Sequence, residues 1–434
     1  MKLKLTLVLT AFSYIVMAQT TTKKDSTATD SVQKLNEVII KTNVIFGNKY
    51  RAQNRTGSAY YISPSELKKL GYVDINRVLR TVPGVTIVEE DGFGLRPNIS
   101  LRGTSPERSA QISLMEDGVL IAPAPYTAPA AYYFPSVARM EAVEILKGSS
   151  QVQYGPFTTG GAINFVSTQI PDTFSGRVKA TYGSFNSQQL YASLGDSYEL
   201  FGYSVEYLKL KSDGFKKLLD DANTGFDKND VVAKFRLNTS KKASVQQALE
   251  FKFQYSDEVS NETYLGLTDA DFKADAFERY DSSQKDQMNN DHLQLLITHE
   301  LDFTKNLRLT TNGYYNSFSR NWYKLHDVTA NSERKSLSDV LENPETFPTH
   351  FGFLNGSIDS GDNALRVRAN NRTYVSKGVQ TKLDYHFTGE NTFHDIEIGA
   401  RYHFDEEDRF QWNDSYSISN GIMQLTNAGI PGTD

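Results

Sequence analysis

The sequence predicts an antiparallel transmembrane β-barrel preceded by a compact domain of mixed helices and strands. Three observations carry this. First, from about residue 173 the hydrophobic period becomes two: Leu249, Phe251, Phe253 and Tyr255 alternate with Glu250, Lys252 and Gln254, and Ile396, Ile398, Ala400, Tyr402 and Phe404 alternate with Glu397, Gly399, Arg401 and His403. About nine candidate strands result, near 175–184, 186–195, 198–210, 230–238, 245–256, 291–303, 307–318, 373–387 and 392–405, several long enough for a tilted span of hydrocarbon. Second, after a tight first hairpin at Gly183–Phe185, short turns (195–197, 239–244, 304–306, 389–391) alternate with long polar excursions (211–229, 257–290, 319–372). Long connections at one end and short ones at the other is the pattern of an outer-membrane barrel. Third, the chain is polar yet 12% aromatic, with 24 Tyr and 25 Phe, and has no cysteine. That composition suits a membrane barrel or a soluble all-β protein, and the loop asymmetry decides between them.

Composition also excludes chemistries. The 46 Lys and Arg against 52 Asp and Glu give a net charge of −6, with no basic bias towards nucleic acid. The absence of cysteine removes disulfides, thiolate zinc sites, Fe–S clusters, a Cys nucleophile and a lipid-anchoring cysteine. Seven scattered histidines form no metal-binding helix motif. No GxSxG, Walker or GxGxxG pattern is present, Gly92-Phe93-Gly94 being the nearest, so the chain is not read as an enzyme and no cofactor is expected.

Lys2 and Lys4, an apolar stretch over Leu5–Met17 and Ala18 at a small-residue cleavage site read as a secretory signal peptide over 1–18. Residues 19–34 are a Thr/Ser/Asp/Lys-rich disordered linker. The isolated strip Leu35–Ile40 is open to two readings: the first strand of the next domain, or a segment that adds itself to a partner's sheet edge.

A compact domain is expected over 42–168. Ser63-Pro64-Ser65-Glu66 is a capping box opening a short helix that Gly71 stops. Asp74 caps a second helix carrying Ile75, Val78, Leu79 and Val82, ended by Pro83-Gly84. Short strands follow at 85–88, 99–101 and 112–115, the last turning at Asp117-Gly118 into 119–121. A helical stretch near 136–140 precedes strands at 143–146 and 162–166.

These residues resemble the TonB-dependent receptors of Gram-negative outer membranes. The resemblance rests on Glu37-Val38-Ile39-Ile40 as a TonB box, then Leu79–Val85, Ile99-Ser100-Leu101-Arg102-Gly103, Glu116-Asp117-Gly118-Val119, Tyr154-Gly155-Pro156 and Gly160–Asn164 in the family's order. It implies a box at 35–41, an α+β plug domain at 42–168 and, from 173 to 434, the N-terminal part of a barrel of 22 strands when complete. At roughly 26 residues per strand, a complete receptor needs about 740 residues, so this chain is expected to be a fragment. Ile121-Ala122-Pro123-Ala124-Pro125-Tyr126 is similar to the ferric dicitrate branch, as is Ala142 where the family commonly has arginine. Only about 16 residues separate the expected signal peptide from Leu35, so a periplasmic signalling domain is not expected here.

The implied activity is TonB-dependent uptake of a ferric chelate resembling ferric citrate. Another siderophore, haem, cobalamin or a passive porin are the alternatives. The implied partners are TonB with its energising inner-membrane complex, the chelate and outer-membrane lipid. An anionic chelate needs arginines and hydroxyls facing the extracellular cavity. The candidates are Arg96, Tyr126 and Thr127 on the plug apex, and Arg279, Tyr280, Arg320, Arg366 and Arg368 in barrel loops. Arg102 is expected to contact the barrel. His326 and His350 read as solvated loop residues, and Asp405-Glu406-Glu407-Asp408 as a solvated strand end or a cation site. If Glu37–Ile40 pairs as an added strand, Ile39→Pro removes a backbone donor. Uptake by energised cells should then be abolished while ligand binding is unchanged, and normal uptake would count against the box.

Overall fold

The computed structural model describes residues 44–432, apart from 56, 71–73, 220–221 and 390–391. The signal peptide, linker and box expected from sequence lie outside the described residues, as do Gly71 and the turn at Glu390 and Asn391.

The first domain begins with helix α1 (Lys49–Gln53) and strand β1 (Ala59–Ile62). Helix α2 (Pro64–Leu70) starts at the expected capping box: Ser63 N–H donates to Glu66 Oε2 at 2.8 Å, and Glu66 N–H returns to Ser63 Oγ at 3.4 Å. Helix α3 (Ile75–Leu79) is capped by Asp74, which accepts the Asn76 N–H at 2.8 Å. β2 (Val85–Val88) and β3 (Asn98–Leu101) form a separate hairpin. β4 (Ile112–Glu116), β5 (Val119–Leu120), β6 (Met140–Leu146) and β7 (Gly161–Ser167) join β1 in a sheet of order β1-β6-β7-β4-β5, with only β4 and β7 parallel. The expected helical stretch near 136–140 is a single 3₁₀ turn, Val137–Arg139. Sequence patterning misses β1, a short edge strand with one buried residue. β7 is buried throughout because sheet and barrel cover it, and a Cβ on Gly161 would meet Leu146 O at 2.4 Å.

The second unit is a meander: β8 (Ser175–Gly183), β9 (Ser187–Ser197), β10 (Phe201–Ser212), β11 (Phe226–Asn238), β12 (Gln246–Asn261), β13 (Gln287–Thr304), β14 (Leu307–Ala330), β16 (Leu365–Thr388), β17 (Phe393–Ser419) and β18 (Ile422–Asn427). The short β15 (Glu333–Ser336) pairs with the end of β14. All nine expected strands are present, those from β11 to β17 run further than their alternation indicated, and β18 adds a tenth that the sequence reading did not give. β14 and β17 reach 24 and 27 residues. The excursion at 319–372 is therefore strand extension, β15 and two helices, α4 (Leu337–Glu342) and α5 (Pro348–Leu354), around an apolar cluster that includes Val340, Leu354, Leu365 and Ile418. β8 and β18 do not pair with each other among the described residues, so the wall is an arc.

The burial pattern inverts that of a soluble protein. On β12, Glu250, Lys252, Gln254, Ser256 and Glu258 are buried against the first domain, while Phe251, Phe253 and Tyr255 are exposed on the opposite face. Leu295, Ile297, Ile396, Ile398 and Tyr402 continue that exposed apolar face, and Tyr402 is 78% accessible. Apolar outside and polar inside is what lipid demands of a barrel wall, and the first domain fills the polar side. A charge on the lipid face should be costly: Ile297→Arg should lose about 2–4 kcal/mol in denaturant titrations in phospholipid vesicles, if the position is near the bilayer midplane.

Candidate ligand site and plug–barrel lock

The turn between β4 and β5 has left-handed backbone at Asp117 (φ 52°) and Gly118 (φ 76°), which turns two carboxylates towards the wall. Glu116 and Asp117 are both almost fully buried. Lys252 on β12 reaches both, at 2.6 Å each. Arg139 pairs with Glu116 at 2.6 Å and with Asp230 on β11 at 2.6 Å. Lys234 on β11 donates to Ser167 Oγ and Thr168 O at 2.7 Å, and Ser167 in turn donates twice to Asp117. Tyr133 completes the cluster, accepting from Arg139 at 2.8 Å and stacking on His292 with ring centres 3.7 Å apart. Burial opposes ionisation of these carboxyls, but Arg139 and Lys252 outweigh it and hold Glu116 down at about 2. Lys252 and Lys234 likewise hold Asp117 well below the usual carboxylate range.

At the long-loop end the wall presents a register row facing inward: Lys228, Glu258, Asn290, Arg320, Arg372 and Arg409, one from each of β11, β12, β13, β14, β16 and β17. Arg320 lies 13 residues along β14 from its short turn, about 30 Å up a tilted strand. Arg320 is 3% exposed, and its Nη1 donates to Asn370 O at 3.2 Å. Among the described residues its Nε and Nη2 have no hydrogen-bond partner, nor does Nε of Arg372 or Nε1 of Trp322. Nε and Nη2 form the side-on fork of a guanidinium, the edge that holds a carboxylate by two parallel bonds. Tyr132 of the first domain lies under Arg320 at 4.2 Å and fixes its plane. Arg108, on a loop with left-handed backbone at both 108 (φ 48°) and 109 (φ 52°), stacks over Trp322 at 4.7 Å and donates to Glu90 and Tyr264. Lys324 lies 4.1 Å over Tyr264 and 4.3 Å over Trp322. The result is a cation-rich, aromatic-walled site between the first domain and β14. Among the described residues its ion-paired counter-charges are Glu90, to Arg108, and Glu407, to Arg372.

The residues singled out from sequence are distributed unevenly. Arg320 lies at the centre of this site. Arg96 is buried between Glu258 and Glu262 and joins the first domain to the wall instead of opening to a cavity. Arg102 is exposed and donates to Lys147 O within its own domain; the contacts with the wall fall to Arg139 and Arg96. Tyr126 N–H and Thr127 Oγ1 both bond Asp405 on β17. Asp405 is four positions before Arg409 on the tilted strand, so these two lie about 10 Å below the arginine row. Arg366 pairs with Asp327, and Arg368 donates to Asn413 at 3.0 Å. Arg279 donates to Ala276 O at 3.0 Å, and Tyr280 bonds Thr268 and Asp271, so both build the outer loop itself. His350 is buried and bonds Glu333 O at 2.9 Å, not solvated. Asp405–Asp408 is mid-strand, not a strand end: Asp405 bonds Tyr126 and Thr127, and Glu407 pairs with Arg372. Arg108, Tyr132, Trp322 and Arg372 escaped sequence reading. Trp322 shares strand parity with the buried Asn316, Phe318 and Arg320, a signal that extending β14 would have exposed.

A plugged outer-membrane β-barrel is the class that this fold and site define. Residues 51–162 match the family model described as TonB-dependent Receptor Plug Domain. The Vitamin B12 transporter BtuB of Photobacterium profundum is 28% identical over 176 residues, 40% of this chain and 28% of that transporter. Among solved structures, the ferric citrate transporter FecA in its unliganded form aligns with a TM-score of 0.65 at 18% identity, over 90% of this chain and 54% of that one. The siderophore receptor PiuA from Acinetobacter baumannii aligns with a TM-score of 0.58 at 17% identity, over 83% of this chain and 46% of that one. The chain thus spans about half the length of these receptors or less, and it has their plug-and-barrel fold.

The lock yields a mutational and a pH expectation. Lys252→Met leaves two buried carboxylates short of a cation and should cost about 3–5 kcal/mol in unfolding of the plug, read by calorimetry. Glu116 and Asp117 have folded values below their unfolded ones, so their stabilisation is full above about pH 4.5 and is lost as pH falls towards 2. The plug transition should be flat from pH 8 to 5 and fall steeply below about 4.5.

Proposed function

We propose that this protein is a TonB-dependent receptor that takes up a ferric chelate bearing carboxylates, in the manner of ferric citrate, across the outer membrane. Its partners in this reading are TonB with its inner-membrane complex, the chelate and outer-membrane lipid. The observation that carries the reading is the buried, unpartnered side-on fork of Arg320, held flat by Tyr132 with Arg372 and Arg409 in register beside it. A buried donor of this kind favours an anion with planar acceptor oxygens. Adjacent strands place two further guanidiniums at about 5 Å steps beside it, Arg372, which is ion-paired with Glu407, and the exposed Arg409, so that positive charge extends past the first carboxylate. A passive porin has no use for a plug bonded to its wall. The likeness to a vitamin B12 transporter favours a corrinoid as the second reading.

Calorimetry on the receptor with ferric citrate, haem, cyanocobalamin and a neutral siderophore separates these. Arg320→Ala should weaken ferric citrate binding by roughly 30-fold or more. Because Arg320 is buried, that loss should persist at high salt, whereas the loss at the exposed Arg409 should shrink with screening. Tight haem or corrinoid binding with indifference to ferric citrate would reject the substrate and leave the transporter reading in place.

A further inference from the structure

Glu144, on β6 between β1 and β7 of the plug sheet, is fully buried and stands apart from the arginine row. Its carboxylate accepts three consecutive backbone N–H groups, from Ile45 at 2.6 Å, Phe46 at 2.7 Å and Gly47 at 2.9 Å. Asn164, its cross-strand partner on β7, donates a fourth bond at 2.9 Å. No cation lies within ion-pair distance of Glu144 among the described residues, so backbone and amide dipoles alone stabilise its charge. Residues 45–47 cannot lift away without leaving a buried carboxylate stripped of most of its donors.

The other end of Asn164 is also committed. Its Oδ1 accepts the Gly118 N–H at 2.9 Å, and Gly118 belongs to the turn whose Glu116 and Asp117 meet Lys252 and Arg139. The sequence of contacts continues through Tyr133 to Tyr132, the ring beneath Arg320. A buried series of bonds therefore runs from the arginine row, through the plug–barrel lock, to the segment that enters the plug.

We propose that Glu144 is the positioning residue that fastens residues 45–47 to the plug, and that Asn164 makes their release depend on the state of the Glu116–Gly118 turn. The inference rests on the receptor reading for its purpose, since a pulling partner would act on the chain just ahead of this clamp. Its test does not need that reading.

The measurement is amide hydrogen exchange at Ile45, Phe46 and Gly47 in the receptor in lipid nanodiscs, without ligand. Glu144→Gln should speed exchange there by roughly 10- to 100-fold, the weight of hydrogen bonds to a charged acceptor, while β6 and β7 amides stay protected. If that variant fails to fold, Glu144→Asp keeps the charge but withdraws it by one methylene, and it should show a smaller rise in the same amides. Lys252→Met, which leaves Glu144 and all four of its donors in place, should speed exchange at 45–47 by roughly three- to tenfold through the turn. Asn164→Ala, which removes both a donor to Glu144 and the acceptor of Gly118 N–H, should speed it by at least as much. Wild-type rates at 45–47 in Glu144→Gln would overturn the clamp, showing that Phe46 packing alone holds the segment. Fast exchange in Glu144→Gln with no change in Asn164→Ala and Lys252→Met would overturn the dependence on the turn. In a further arm, saturating ferric citrate should raise exchange at 45–47 in the wild type. A flat response beside the expected variant results would uphold the clamp, and calorimetry on the same sample then separates two cases. A ferric citrate that does not bind rejects the substrate, and one that binds without releasing residues 45–47 overturns the link between ligand and clamp.

Discussion

Two adjacent carboxylates buried at one turn set the terms for the rest of this structure. Glu116 and Asp117 sit where water cannot reach them, and an unpaired charge there would cost several kcal/mol. The wall answers with Lys252, and the plug with Arg139, which reaches on to Asp230 of the wall. Because each cation serves two acids, no single pair can part without stranding another charge. Wall and plug are thereby held at one rotation and one height, and the remaining contacts between them follow from that placement.

Height matters because the wall is a ruler. Each inward position on a strand faces a fixed level of the plug, so fixing one turn fixes which side chains meet everywhere else. The Arg320, Arg372 and Arg409 row stands opposite Tyr132, next to the Tyr133 that bonds Arg139 in the lock. Aromatic rings from both partners hold the cations of this site apart from one another. Stacking on a ring lets a guanidinium stay desolvated without a counter-ion and keeps its hydrogen-bonding edge available. Arg96 and Arg108 sit close by but are matched by acids, as is Arg372 by Glu407, so the buried guanidinium edge left without a partner among the described residues is that of Arg320.

The long connections are structured for the same reason that the wall is regular. Above the lipid, strands β14, β16 and β17 keep pairing, since their backbone groups need partners in water-poor contacts as much as in lipid. Helices α4 and α5 bury Val340, Phe353 and Leu354 against Val328, Leu365 and Ile418, giving the outer end a small core of its own. Tyr280 and His350 serve that core, which is why two residues with ligand-like chemistry turn out to be structural.

Alternation with period two determined the strands, because each wall residue faces either lipid or plug and the choice is written locally in polarity. Caps and turns were equally legible: Ser63 with Glu66, Asp74, and Asp117-Gly118 act through neighbours a few residues away. The ends of β14 and β17 were not, since above the membrane both faces become polar and the alternation fades while pairing continues. The site was legible only in part. Sequence picked out Arg320 as an arginine in a suitable region, but the same reasoning picked out Arg96, Arg279 and Arg366, which acids or loop carbonyls already occupy. Whether an arginine is free to bind an anion depends on which groups stand across from it. Those groups come from strands and a plug loop far apart in the chain, so register and docking decide it, and only the tertiary structure contains them.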